Sequence, residues 1–238
     1  MIRRTLVLIP GMLNDASLWG AVTPSLGDTA EVVIPTFSTQ DSIGAMADAV
    51  LARLPSGPVA LAGFSMGGWI AQEIVRRARD RVSRLALISS GAGPANANER
   101  DMLARAAVAA ATGFDSILER MLSVVMHPSR RNDKSLRDAV MTMWRAVGPV
   151  TYARQCRAIM ERPDSRAILR ALRIPMLIAC GREDQVMSPA QTRQLARLMP
   201  SAQLALVDQC GHLLPLERPD ELATLLRNWL DATETRHV

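Results

Sequence analysis

The chain has 238 residues, 48% of them apolar, and a net charge of +5. That length suits one large α/β domain or two small ones with a substantial buried core, and the apolar content excludes a disordered chain. No segment approaches the roughly eighteen apolar residues of a membrane-spanning helix. The three cysteines, Cys156, Cys180 and Cys210, lack C-x-x-C spacing. Disulfides and zinc are therefore not expected, and a reduced, cytoplasmic setting is.

Taken in order, residues 5–10 form a near-continuous apolar run, hence a buried strand, and Pro10-Gly11 ends it. The same break leaves the run too short for a signal peptide. Residues 16–26 predict a modest helix containing Trp19. A second strand covers residues 31–34. Asp41 or Ser42 caps a helix through about Leu54, with Ile43, Met46, Ala47, Val50 and Leu54 along one face. A third strand at 59–62 runs into a glycine-rich turn around Ser65. From Met66 to Ile74 apolar residues return at helical spacing, with Gln72 and Glu73 facing out. Residues 85–89 are the fourth strand, 175–180 the fifth and 203–207 the sixth. Ser188-Pro189 and Arg218-Pro219 each open a helix, and the second carries Leu222, Leu225, Leu226, Trp229 and Leu230 on one face. Strands alternating with helices predict a parallel sheet covered on both faces.

Between the fourth and fifth strands the alternation stops. Residues 93–170 show helical patterns only, at 97–111, 114–126, 133–147 and 150–161. This predicts a helical lid inserted into a core made of 1–92 and 171–238. From Gly93 to Arg166 there are twelve basic residues, eleven arginines and Lys134, against eight acidic ones, so this stretch holds four of the five net positive charges. A basic face of this kind steers anionic substrates or an acidic acyl-carrier protein, although it equally suits a solvated surface in an arginine-rich chain. Nucleic acid is not expected, because no aromatic residues interleave the basic ones.

Ser65 lies in Gly63-Phe-Ser-Met-Gly67, just past the third strand. Glycines at −2 and +2 suit a strained turn in which side chains would collide. A serine hydroxyl needs a base beside it. Of the three histidines, His237 is next to the end and His127 precedes Pro128 inside the insertion. His212, directly after the sixth strand, remains as the base. The base needs an acid to fix its tautomer. Asp184, just past the fifth strand in Gly181-Arg-Glu-Asp184, fits that role, with Glu183 as its rival. Ser65, Asp184 and His212 all sit beyond the carboxyl ends of strands, where such sheets gather their reactive groups.

These motifs resemble the α/β-hydrolase superfamily, of the small lidded bacterial esterase type, over nearly the whole chain. Gly63-Phe-Ser-Met-Gly67 matches its nucleophile elbow, Gly181-Arg-Glu-Asp184 its acid turn, and Gly211-His212 with Leu216-Glu217-Arg-Pro219 its histidine loop and final helix. The resemblance implies an oxyanion hole of two backbone N–H groups, at Met66 and at Met12 in the loop after the first strand. The family usually has His-Gly before that donor, where this chain has Pro10-Gly11. Members often begin with an antiparallel hairpin for which residues 1–4 leave no room, so the expected core is a mainly parallel six-stranded sheet.

The implied activity is a serine carboxylesterase acting on a small or medium acyl ester, with thioesters possible. A lyase or enol-lactone hydrolase of the same fold, using an insertion arginine for an anionic metabolite, is the alternative. A non-catalytic ligand-binding protein is the alternative of another class. Phe64, Trp69, Met121, Met126, Trp144 and Met187 are the expected wall of an adaptable apolar pocket, though each also suits plain packing. No P-loop, dinucleotide fingerprint or metal spacing is present, so no cofactor is expected.

Overall fold

The computed structural model describes residues 4–232; His237 lies outside them. Six parallel strands form one sheet in the order β2-β1-β3-β4-β5-β6, with β1 at Arg4–Ile9, β2 at Ala30–Val33, β3 at Val59–Phe64, β4 at Val82–Ile88, β5 at Met176–Gly181 and β6 at Gln203–Val207. Every residue of β3 and of β5 is buried, which is why both read as unbroken apolar runs. At the edge, β2 is only four residues long and half-buried, a length that blunts pairing with another chain.

Helices cover both faces of the sheet. Helix α1 is Ile43–Leu51, capped by Ser42 Oγ, which accepts from the Ala45 N–H at 3.1 Å. Helix α2, Met66–Arg77, packs beside α1 and over β3 and β4. Helix α6 is Pro189–Leu198, with a capping box between Ser188 and Gln191. The short α7, Leu214–Glu217, leads into α8, Pro219–Asp231, whose Trp229 Nε1–H donates to Pro175 O at 3.2 Å.

Two expectations are corrected. Residues 16–26 are two 3-10 turns, Ala16–Trp19 and Thr23–Ser25, and not a helix. Asp15 accepts from the Ser17 N–H to start the first, and Gly20 and Pro24 prevent a longer ladder. Gln72 and Glu73 do not face out. Gln72 is fully buried and donates to Gly91 O, while Glu73 accepts from Arg76 and Arg77. A buried polar group needs such partners, and sequence periodicity alone does not reveal them.

Between β4 and β5 lie α3, Ala97–Val125, α4, Lys134–Met160, and the short α5, Arg166–Ala171. Each long helix is broken once. Gly113 leaves the helical region at φ −141° and ψ 37°. Gly148 takes φ 80° and ψ 167° directly before Pro149. The breaks fall between the helical stretches expected at 97–111 and 114–126, and at 133–147 and 150–161. Glycine is needed at Gly148 because that positive φ is costly for any residue with a Cβ. The two long helices pack against each other across the carboxyl ends of the strands.

Candidate active site

Ser65 occupies the turn between β3 and α2 at φ 51° and ψ −116°, a conformation that a residue with a side chain adopts only when its surroundings impose it. Those surroundings are specific. The Ser65 N–H donates to Ile88 O at 2.8 Å, and Ser65 O accepts from Ser90 Oγ at 2.9 Å. A Cβ at Gly67 would stand 2.2 Å from Ile9 O, and one at Gly63 would stand 2.3 Å from Gly67 O. Glycine here is a requirement of backbone crossing backbone. Ser65 precedes α2 without spending its hydroxyl on a cap. That leaves Oγ available to a partner.

The partner is His212. Its Nε2 lies 3.1 Å from Ser65 Oγ, and its Nδ1 lies 2.9 Å from Asp184 Oδ2. A carboxylate only accepts, so Nδ1 carries the proton and Nε2 presents a lone pair to the serine. Asp184 Oδ1 also accepts from the Val186 and Met187 N–H groups, each at 2.8 Å, which fixes the carboxylate plane. Asp184 is 3% exposed and His212 5%, so little water competes for these bonds. The Phe64 ring packs at 5.2 Å from the imidazole. The His212 loop is held by its own N–H, which donates to Val125 O at 2.7 Å, and by buried Glu217, which accepts from the Gly211 N–H at 3.1 Å and the His127 N–H at 2.7 Å. Burial raises the Glu217 carboxyl above its usual range, and these N–H groups oppose the rise. Glu183 is not interchangeable with Asp184: its Oε2 accepts from the Cys210 N–H at 3.0 Å and braces the neighbouring loop.

An alpha/beta hydrolase family model matches residues 6–225. The chain belongs to the alpha/beta hydrolase family. This hydrolase is 28% identical to the pimeloyl-[acyl-carrier protein] methyl ester esterase of Aromatoleum aromaticum, over 96% of its own length and 98% of that protein. It is 25% identical to a protein of the same name from Nitrosomonas europaea, over 92% of each chain. Among solved structures, a thermophilic esterase from Thermogutta terrifontis superposes with a TM-score of 0.88 at 27% identity, covering 95% of this chain and 89% of that one. An enol-lactonase from Burkholderia xenovorans reaches the same TM-score at 22% identity and shares the fold. The hydrolase acts on ester bonds, and no helix among its described residues is long and apolar enough to cross a membrane.

Above Ser65 this hydrolase encloses a cavity of about 510 Å³. Of the six expected wall residues Phe64, Met121 and Trp144 line it, and Met12, expected as an oxyanion donor, lines it as well. Three expected wall residues are elsewhere. Met126 ends α3 and is buried against the His212 loop, where a Cβ on Gly211 would touch its backbone. Trp69 and Met187 line an adjoining, more polar cavity of about 860 Å³. The Trp69 ring lies under the Arg162 guanidinium at 4.1 Å, and Arg162 forms a two-pronged ion pair with Glu99. Leu103 and Ile117 of the insertion also line the Ser65 cavity, as do Tyr152, Arg105 and Arg120, which were not singled out from the sequence. Met66 is the first residue of α2 and is fully buried, and Met12 sits in the loop after β1.

Proposed function

We propose that this hydrolase cleaves a carboxylic ester of a medium-length, largely apolar acyl group through an acyl-enzyme on Ser65. The observation that carries the reading is the run of short contacts from Ser65 through His212 to Asp184, opening onto an apolar cavity. Ser65 Oγ attacks the acyl carbonyl while His212 Nε2 takes its proton. The carbonyl electrons move to oxygen, held by the Met12 and Met66 N–H groups. Collapse expels the alcohol, which receives the proton from His212. A water then loses a proton to the same nitrogen, attacks the acyl carbon and frees the acid and Ser65.

Helices α3 and α4 act as the lid, residues 93–170, over the core of 1–92 and 171–238. Arg105 and Arg120, on the rim of the cavity, favour an acyl group with an anionic far end or an anionic carrier. An acidic acyl-carrier protein fits the positive excess of the lid and the names of the curated relatives. The three buried, unpaired cysteines suit the reducing cytoplasm.

The test is hydrolysis of short, medium and long p-nitrophenyl esters, and of methyl esters of medium dicarboxylic acids, free and carrier-linked, by the native protein and by Ser65→Ala. We expect a maximum at medium length and loss of turnover by roughly 10⁴-fold or more in Ser65→Ala. Covalent labelling of Ser65 by a fluorophosphonate without turnover of any ester would favour the lyase or enol-lactone alternative. Full activity in Ser65→Ala would sink the serine-esterase reading.

A further inference from the structure

The loop that carries the proposed oxyanion donor Met12 is a turn, in which the Asn14 N–H donates to Gly11 O at 3.2 Å, and that one bond is not its whole support. Leu13, next to it, sits at φ 61° and is completely buried. A leucine there requires outside support. The support comes from α4. The Leu13 N–H donates to Gln155 Oε1 at 2.8 Å, across 142 residues of sequence. Gln155 is 1% exposed, so water cannot substitute for it.

The same peptide is held at its other end. The buried Asn14 amide is satisfied when its nitrogen donates to Met12 O at 3.2 Å and its oxygen accepts from Trp144 Nε1 at 3.2 Å. Met12 O and the Leu13 N–H belong to one peptide plane, rigid by resonance. One end of that plane is bonded to Gln155 and the other, through Asn14, to Trp144. The next peptide toward the N-terminus bears the Met12 N–H. Clamping the first plane therefore limits the direction of the second.

The break at Gly148-Pro149 separates Trp144 from Gln155, so two differently directed segments of α4 converge on the loop. The segment with Gln155 is itself fastened to the core. Arg154 donates to Ser38 O at 2.8 Å, and Arg157 pairs with Asp41 at 3.2 Å.

We propose that Gln155 and Trp144 are positioning residues for the oxyanion hole, so that the Met12 N–H is aimed at the reacting carbonyl only while α4 is seated. The clamp matters to rate only if Ser65 is the nucleophile of an ester hydrolase, the reading proposed above. It makes α4 part of the catalytic apparatus through the backbone of another segment, in addition to its place in the cavity wall.

The experiment compares Gln155→Leu, which keeps the size and loses the acceptor, with Gln155→Glu, which keeps an acceptor. Steady-state kinetics use a p-nitrophenyl ester, and a trifluoromethyl ketone reports binding of a tetrahedral adduct with an anionic oxygen. Gln155→Leu should lower kcat by about 10- to 100-fold, less than or equal to the loss of one donor. KM should stay within about twofold, and ketone affinity should fall by the same factor as kcat. Gln155→Glu should recover at least half of the loss on a logarithmic scale.

Trp144→Phe, which removes only the indole N–H, serves if Gln155→Leu does not fold. It should lower kcat and ketone affinity together by about 3- to 10-fold, the range of one neutral hydrogen bond. Wild-type kcat in these variants, or a rise in KM at constant kcat, overturns the clamp. So does a fall in thermal stability with ketone affinity unchanged. Ser65→Ala run alongside separates the two proposals: an active Ser65→Ala defeats the esterase reading, whereas an inactive one beside an unimpaired Gln155→Leu defeats only the clamp.

Discussion

Asp184 shows how much chemistry a single side chain can fix. Its Oδ1 serves two backbone N–H groups and its Oδ2 serves His212. In Asp184→Asn the amide oxygen will stay with the two N–H donors, because an NH₂ group facing them would leave both unpaired. The NH₂ group then faces His212 Nδ1, which must accept. Nε2 is left carrying the proton, and it cannot take one from Ser65. We expect kcat to fall by about 10⁴-fold with the fold retained, the size of effect that the wrong tautomer produces in serine proteases. Steady-state rates together with a thermal melt check this. A variant within about tenfold of wild type would show that Asp184 does not govern the tautomer.

At the scale of elements, the β3–α2 turn is built by absence of side chains. In Gly67→Ala the new methyl would meet Ile9 O and Pro10 O, both backbone, with no flexible group to yield. A cost of about 3 kcal/mol or more is expected, at the upper end for overpacking. Gly27→Ala meets only Pro24 O at 3.9 Å and should stay within about 0.5 kcal/mol of wild type. Urea unfolding of the two variants measures the contrast, and equal midpoints would refute it.

Much of this element was legible in the sequence. Runs such as Val59-Ala-Leu-Ala62 are buried on both sides, and burial on both sides leaves a plain apolar signature. The Gly63, Ser65 and Gly67 spacing records a steric demand that only glycine meets. Ser65, Asp184 and His212 were readable because topology puts strand ends together. What stayed hidden depends on long-range partners. Gln72 and Glu73 look like an exposed helix face until Gly91 O is seen to accept from Gln72, and Arg76 and Arg77 to donate to Glu73. The link from Leu13 to Gln155 has no periodicity or motif to announce it. The pocket was half legible: apolar residues of the insertion predict an apolar wall, but helical spacing could not tell Met121, which lines it, from Met126, which does not.

Taken whole, the molecule buries all three of its cysteines. Burial pushes the thiols of Cys156 and Cys180 up to about 11 and that of Cys210 higher still. Reaction requires the thiolate, so native protein at about pH 8 should resist Ellman's reagent, and the denatured chain should react at three sites. Fast labelling of the native protein would contradict this. The sign of the linked pH effect follows. Below the unfolded thiol value, near 9, folded and unfolded chains hold these protons equally and stability is unaffected. Above it the unfolded chain releases them while the fold retains them, so stability should decline as pH rises from about 9 through 11. Denaturant midpoints across that range, compared with those of a variant carrying Cys156→Ala and Cys180→Ala, test it. The decline should be shallower in the variant.

The hydrogen bonds from α3 and α4 to the loops beside Ser65 bear on how the substrate range can change. Val125 O and the His127 N–H meet the His212 loop, directly and through Glu217, while Gln155 and Trp144 meet the loop after β1. Two of the places where this proposed lid meets the core therefore adjoin the proposed reacting atoms. Exchanging it for a homologue's would supply a new acyl cavity but also new neighbours for the base and for the oxyanion loop. Chimeras at residues 93 and 170 should therefore inherit selectivity and rate as a linked pair, and grafts that carry over the residues facing both loops would be the ones to keep their speed.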